Sequence, residues 1–313
     1  MTEIRNGQDV SDATPAVWTR PLAPRTARPA ASQPTVVIEA RPETITARLR
    51  ALWRYRGFYG FLFKEITMRK ARGTLLGFWW LILRPLIPAV GFMFTFAYVA
   101  PLNTGHDIPY PVFFLSGFIP WRLFQGTLTL LPRSLIWTRG IMQRTYFPRL
   151  LVPLAGFGPI LIEFAMLCVM FAIVAGVSAW NGDARSLRFG WETLWLLPCL
   201  IGALMFAMSF GMVMSVVALF FRDVVFSVRY FAQMFMLLTP VLYPVTFVPE
   251  PYRWVLYVLN PMAQVVTVSR WALTGRGQFE PLFVAISFGM ILVAFVLSVT
   301  FFLRAEAYLG DQL

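Results

Sequence analysis

Acidic residues are scarce in this chain of 313 residues, with 15 Asp and Glu against 27 Lys and Arg. Histidine occurs once, as His106, and lysine only twice, as Lys64 and Lys70. A single imidazole beside Asp107 leaves no Ser/His/Asp set and no metal-ligand cluster, so His106 reads as a loop histidine near the outer headgroups. Asp107 and Asp183 stand alone, so no carboxylate pair is placed for acid–base or metal-assisted glycosyl chemistry. Glu65 follows Lys64 and Ala71 follows Lys70, which excludes a G-x-x-x-x-G-K-[ST] phosphate loop and, with it, nucleotide hydrolysis by this chain. The two cysteines, Cys168 and Cys199, lie within apolar segments and read as small buried helix residues, not as a disulfide or a metal site. An enzyme with its own bound cofactor or metal finds no support here.

Charge of either sign is thin, at 13% of residues against about a quarter in soluble domains. Hydrophobic residues reach 58%, and the mean hydropathy is +0.65. Six segments are long and apolar enough to cross a hydrocarbon core of about 30 Å: Gly77–Ala100, Ile108–Leu131, Leu150–Ala179, Thr193–Phe221, Val224–Phe247 and Glu280–Leu303. The expected fold is an all-α polytopic membrane protein with six transmembrane helices over residues 77–304. Met1–Arg84 carries 14 of the basic and 6 of the acidic residues, a local surplus of 14 − 6 = +8 out of +12. Arg133, Arg139, Arg144 and Arg149 follow the second segment with no acid among them, whereas Asn103–Asp107 has no basic residue. By the positive-inside rule both termini are cytoplasmic. The high pI of about 10.4 therefore points to anionic lipid headgroups and not to nucleic acid.

Residues 1–48, rich in Pro, Ala, Thr and Arg, read as a mostly disordered cytoplasmic tail. Because the first long apolar segment begins only after Gly77, no cleavable signal peptide is expected. Over residues 49–73, Leu52, Trp53, Phe58, Phe61, Leu62 and Ile66 alternate with Arg54, Arg56, Lys64, Arg69 and Lys70, the pattern of an amphipathic helix in the inner interface. A plain cytoplasmic helix preceding the first span has nearly the same pattern. Between the fifth and sixth spans, Tyr252–Leu273 is apolar but broken at Asn260-Pro261, leaving two pieces too short to cross. Irregular backbone at membrane depth needs protein or water around it, which suggests re-entrant half-helices on the outer side. Residues 305–313 form a short cytoplasmic C-terminus.

Three charges fall inside the apolar segments: Arg84, Arg122 and Glu163. Arg84 lies close enough to Gly77 to snorkel inward. Arg122 and Glu163 sit deeper on consecutive antiparallel spans, where an intramembrane ion pair locking two helices is expected ahead of a substrate contact. The aromatics are numerous, with 30 Phe, 11 Trp and 10 Tyr. Many, such as Trp79, Trp80, Trp180 and Trp254, sit at segment ends as interfacial belts. A minority suit a path for sugars.

The order of motifs resembles the membrane (permease) subunit of ABC exporters that move lipid-linked polysaccharides such as O-antigen, capsule and teichoic acid, a type-2 ABC permease family. The likeness runs from about Leu52 to Arg304. It is carried by LWRYRGF…FKEITMRKARGTLLGFWWLILRPL, by YPVFFLSGFIPW at Tyr110–Trp121, by QRTYFPR at Gln143–Arg149, by ALFFRDV at Ala218–Val224, and by TPVLYP with LNPM. The resemblance implies a homodimer in the bacterial inner membrane, served by two separate ABC ATPase subunits that hold the ATP and magnesium. It implies ATPase coupling through Arg133, Arg139, Arg144, Tyr146, Arg222 and Asp223, and an outer gate at Tyr252, Asn260, Pro261 and Met262. A related permease exporting a drug or lipid is the alternative. A membrane glycosyltransferase would need an outer acidic pair, and a purely structural protein would have no use for broken helices beside an opening.

Overall fold

In a computed structural model the described residues are 56–69, 77, 79–105, 108–142, 155–181, 190–277 and 279–309, and all regular structure among them is helical. The helices are α1 (Arg56–Arg69), α2 (Trp79–Phe94), α3 (Tyr110–Met142), α4 (Phe157–Trp180), α5 (Leu196–Phe220), α6 (Val224–Leu238), α7 (Glu250–Leu259), α8 (Pro261–Thr274) and α9 (Pro281–Leu309). A π turn, Thr95–Val99, extends α2, and a 3-10 turn, Trp191–Trp195, leads into α5. All described residues fall within one unit, Thr44–Leu313. The expected tail, the start of the interface helix and the segment holding Arg144 and Tyr146 lie outside the described residues.

Four helices among the described residues are long and apolar enough to cross a membrane: Ile82–Val99, Phe157–Trp180, Trp191–Phe220 and Pro281–Ala305. This makes the chain a multi-pass membrane protein, with two of the six expected spans departing from that pattern. At 33 residues, α3 is long enough, about 50 Å, but Arg122, Gln125 and Arg133 dilute its apolar character. It also runs on past Leu131 to Met142, through Pro120 and Pro132. Arg133 and Arg139 therefore stand on a helix and not in the expected loop. At 15 residues, α6 reaches only about 22 Å. The segment expected to continue to Phe247 stops at Leu238 because Pro240 has no N–H to offer and forces the residue before it out of the helical region. Thr239 accordingly adopts an extended backbone, φ −99° and ψ 135°.

The hub of the bundle is α3. It packs most heavily on α5 and also touches α4, α6 and α8. Its Phe113, Phe114, Phe118, Trp121 and Phe124 are all buried. These rings stack along the helix, with Phe114 and Phe118 centroids 4.7 Å apart, and meet Phe206 of α5 and Phe235 of α6. Aromatic pairs of this kind add about 0.5–1.5 kcal/mol beyond the area they bury. Cys199 is fully buried in α5, and Cys168 is partly buried in α4; both are free thiols.

The second proline break, at Pro261, divides α7 from α8. Asn260 has φ −124° and ψ 85°, and Pro261 takes the first helical position, where its missing N–H costs nothing. α8 ends at Gly275, whose φ of +64° is the left-handed cap that glycine adopts without strain. From Pro261 to Arg270 every residue of α8 is buried by the rest of its own chain.

Candidate functional site

Two clefts flank α3, one along its middle and one at its N-terminal end. The first, about 510 Å³, lies between α2, α3, α4 and α6 and is lined by Arg84, Arg122, Arg133 and Arg229 together with Gln125, Thr129, Glu163 and Gln233. The second, about 480 Å³, is lined by Phe113, Thr246, Arg253, Tyr257, Arg276 and Glu280. Both volumes fall in the range of about 300–1,000 Å³ common for ligand sites.

In the first cleft Arg122 Nη2 donates to Glu163 Oε2 at 2.7 Å and Nη1 donates to Gln125 Oε1 at 2.8 Å. The side chains are nearly buried, with 15% of Arg122 and 6% of Glu163 exposed. Arg122 Nε is buried without a partner. The pair joins α3 to α4 across the bundle. Arg133, on the same face of α3 three turns further along, points to this cleft as well, and Arg229 faces it from the first turns of α6. The sequence reading passed over Arg229, although Arg229 and Gln233 four residues apart in an apolar helix already mark one polar face.

Two further residues expected to serve coupling lie elsewhere. Arg222 and Asp223 are exposed in the turn between α5 and α6, where the Asp223 carbonyl accepts from Ser227 N–H at 3.0 Å and from Ser227 Oγ at 3.0 Å. Arg139 lies on α3.

The expected gate residues separate. Tyr252 is 64% exposed on α7, but Asn260 and Met262 are 4% and 0% exposed, and Pro261 is buried with them. Asn260 Nδ2 donates to the Leu238 carbonyl at 3.2 Å and to Thr239 Oγ1 at 2.9 Å. Asn260 is thereby fastened to the end of α6, and Pro261 and Met262 are buried beside it. A cysteine at Tyr252 is therefore expected to react rapidly with a water-soluble maleimide in the intact protein and one at Met262 only after unfolding. Equal rates would place α8 at a surface.

Arg270, which the sequence reading also missed, anchors the same region. It is 7% exposed. Its Nη2 donates to the carbonyls of Pro240 at 2.9 Å and Val241 at 3.3 Å, and its Nε donates to the Phe113 carbonyl at 3.3 Å. The guanidinium also lies 3.7 Å over the Phe113 ring. Gly117 makes room for it: a Cβ there would stand 2.8 Å from Arg270 Nη2 and 2.9 Å from Val266 Cγ1. Tyr110 adds its hydroxyl to the Leu242 carbonyl at 3.0 Å. The carbonyls freed by the Pro240 break are thus satisfied by side chains, as a dry environment requires.

A helical, multi-pass membrane protein with two polar clefts flanking its central helix is built as transporters are. The pattern of the ABC-2 type transporter family matches residues 59–274, more than half of the sequence, and the chain belongs to that family. It is an ABC transporter permease. Among curated proteins it is similar to an O-antigen export system permease protein RfbA of Klebsiella pneumoniae, 28% identical over 239 residues, covering 75% of this chain and 87% of the relative. A second protein of that name and organism is 27% identical over 205 residues, covering 65% and 74%. One of the same name from Myxococcus xanthus is 24% identical over 221 residues, covering 70% and 81%.

Proposed function

We propose that this chain is the membrane subunit of an exporter that moves a lipid-linked polysaccharide, of O-antigen or capsule type, across the bacterial cytoplasmic membrane. The observation that carries the reading is its likeness to O-antigen export permeases over 75% and 70% of its length in two organisms. Two copies form the permease, and two separate ATPase subunits hold ATP and magnesium. The sequence supports an outside energy source, since neither lysine belongs to a phosphate loop. Six spans are α2, α3, α4, α5, α6 with the clasped segment that follows it, and α9, with both termini cytoplasmic. The cytoplasmic end carries Arg133, Arg222 and Arg229, in keeping with the positive-inside rule. α1 lies in the inner interface, and α7 with α8 forms the re-entrant pair on the outer side.

Deleting the gene for this chain is expected to remove surface glycan while lipid-linked glycan accumulates on the inner leaflet, and re-expression restores export. A cell that keeps its surface glycan but loses efflux of a drug or a free lipid would reject the polysaccharide reading. Coupling is tested in the same strain. Arg139→Glu with Arg144→Glu reverses the charge where an ATPase would grip, and this double variant is expected to insert normally yet export nothing. Normal export by the inserted variant removes these arginines from coupling.

A further inference from the structure

The second cleft is built around one fixed cation. Arg270 lines it from α8 although only 7% of the residue is exposed. Its Nη2 and Nε are committed to the carbonyls of Pro240, Val241 and Phe113. Its Nη1 has no partner among the described residues and opens on the cleft. The Phe113 ring, 3.7 Å away, holds the plane of the fork. At the rim, Arg276 sits between Gly275 and Gly277, whose φ values of +64° and +109° suit glycine alone. The Thr274 hydroxyl ties that turn, donating to the Arg276 carbonyl and accepting from its N–H, both at 3.3 Å. Arg253 faces the cleft from α7, steadied by its Nε on the Val248 carbonyl at 3.0 Å.

The rest of the lining is of a different kind. It includes the Glu280 carboxylate and the Tyr257 hydroxyl, and neither makes a side-chain hydrogen bond or ion pair among the described residues. Phe279 adds an aromatic ring, held edge-on by Trp271 at 4.9 Å, which Trp191 holds in turn at 5.9 Å. A sugar ring carries hydroxyls that both donate and accept around its rim and C–H bonds on its faces. Planar donors, an acceptor and an aromatic ring in one cleft of about 480 Å³ meet all of these needs. The charge narrows the choice further. Three guanidinium groups stand against one carboxylate among the described residues, 3 − 1 = +2, and an uncharged sugar would leave that excess unmatched. A phosphate dianion would be repelled by Glu280 and would make no use of Phe279 or Tyr257. One carboxylate on a sugar ring engages the guanidinium groups and leaves the hydroxyls for the other side chains.

We propose that this cleft takes a hexuronate residue, with its carboxylate on Arg270 Nη1 and Arg276, its hydroxyls on Glu280 and Tyr257, and an apolar face on Phe279. This rests on the reading of the chain as a glycan exporter and narrows the cargo to a chain that contains acidic sugars. On that reading the cleft lies at the outer side, beside α7 and α8, where it holds the glycan as it leaves. Arg270 thereby serves twice, closing the Pro240 break with two nitrogens and meeting the glycan with the third.

The test is direct binding to the purified full-length chain in a nanodisc of zwitterionic lipid, prepared without glycoside detergent. Methyl β-D-glucuronide and methyl β-D-glucoside are titrated by saturation-transfer NMR. The glucuronide is expected to bind about tenfold more tightly, the worth of one charge-assisted contact. Arg276→Gln is expected to raise the glucuronide Kd about tenfold and leave the glucoside unchanged, a split that a merely structural residue would not give. Tyr257→Phe, which keeps the ring, is expected to weaken both sugars about fivefold. Equal wild-type affinity for the two sugars overturns the proposal. So does unchanged glucuronide binding by a stable Arg276→Gln protein; if that variant is unstable, unchanged binding of both sugars by Tyr257→Phe overturns it instead. Displacement of the glucuronide by equimolar inorganic phosphate would assign the cleft to a free anion, and loss of binding in phosphatidylglycerol nanodiscs would assign it to a lipid headgroup; either overturns it. Export in cells is a separate measurement. Glucuronide binding without glycan export rejects the function proposed above and leaves the cleft standing, whereas glycan export without binding rejects the cleft alone.

Discussion

Glu163→Gln is expected to lower stability towards the full cost of breaking a buried ion pair, about 3–5 kcal/mol. The lower part of that range applies, because Arg122 keeps 15% of its side chain exposed to the cleft. The substitution leaves Arg122 with Gln125 alone, in a cleft already crowded by Arg84, Arg133 and Arg229. Arg122→Gln removes one repelling cation and leaves Glu163 near the other three, so its loss is expected to be the smaller. The double variant is expected to recover part of the loss, since neither charge is then stranded. Thermal unfolding of the four proteins in one detergent gives the coupling directly. Additive losses would mean that the 2.7 Å contact contributes nothing, and equal single losses would mean that the surrounding arginines do not bear on the pair.

The second large effect is expected at Arg270. Arg270→Met keeps the bulk of the side chain but leaves the carbonyls of Pro240 and Val241 without their donor, whereas the Phe113 carbonyl still accepts from Ser116 Oγ at 2.8 Å. Each unsatisfied buried acceptor costs about 1–3 kcal/mol, so a loss of at least about 2 kcal/mol is expected. Arg270→Lys recovers little, because a single ammonium cannot reach both sides of the break in the same planar arrangement or stack as well on Phe113. Limited proteolysis provides a local readout: cutting within residues 239–244 is expected in the Met variant ahead of cutting elsewhere. An Arg270→Met protein that unfolds at the wild-type temperature would show that the segment holds itself.

How far the sequence reveals these features depends on whether each is local. The break at Asn260-Pro261 is local, because a proline acts on its own backbone and on the residue before it. The same signal stands at Thr239-Pro240, but there the unbroken apolarity of Val224–Phe247 masked it, and a hydropathy window averages over a helix end. The extension of α3 to Met142 was hidden for the opposite reason, since Pro132 and the following arginines look like a loop until the helix absorbs them. That Arg122 and Glu163 occupy neighbouring helices follows from chain order, whereas their rotation towards one another does not. Arg270 is harder still. One arginine in a short apolar helix reads as an interfacial anchor, and only the approach of α3 at Gly117, distant in sequence, turns it inward. The arginines of the first cleft are spread over three helices and meet only when those helices pack.

The enclosure of α8 has a consequence for how such a permease diverges. A helix with one face on solvent or lipid can change there while its packed face stays constant. α8 has no such face from Pro261 to Arg270, so each new side chain has to fit neighbours on α3, α5 or α9 at interior density. Adaptation to another cargo is therefore channelled away from it, towards α7, with Tyr252, Trp254 and Leu259 outward, and towards the first cleft. Swapping α7 between relatives with different cargoes exchanges a surface, whereas swapping α8 exchanges a core.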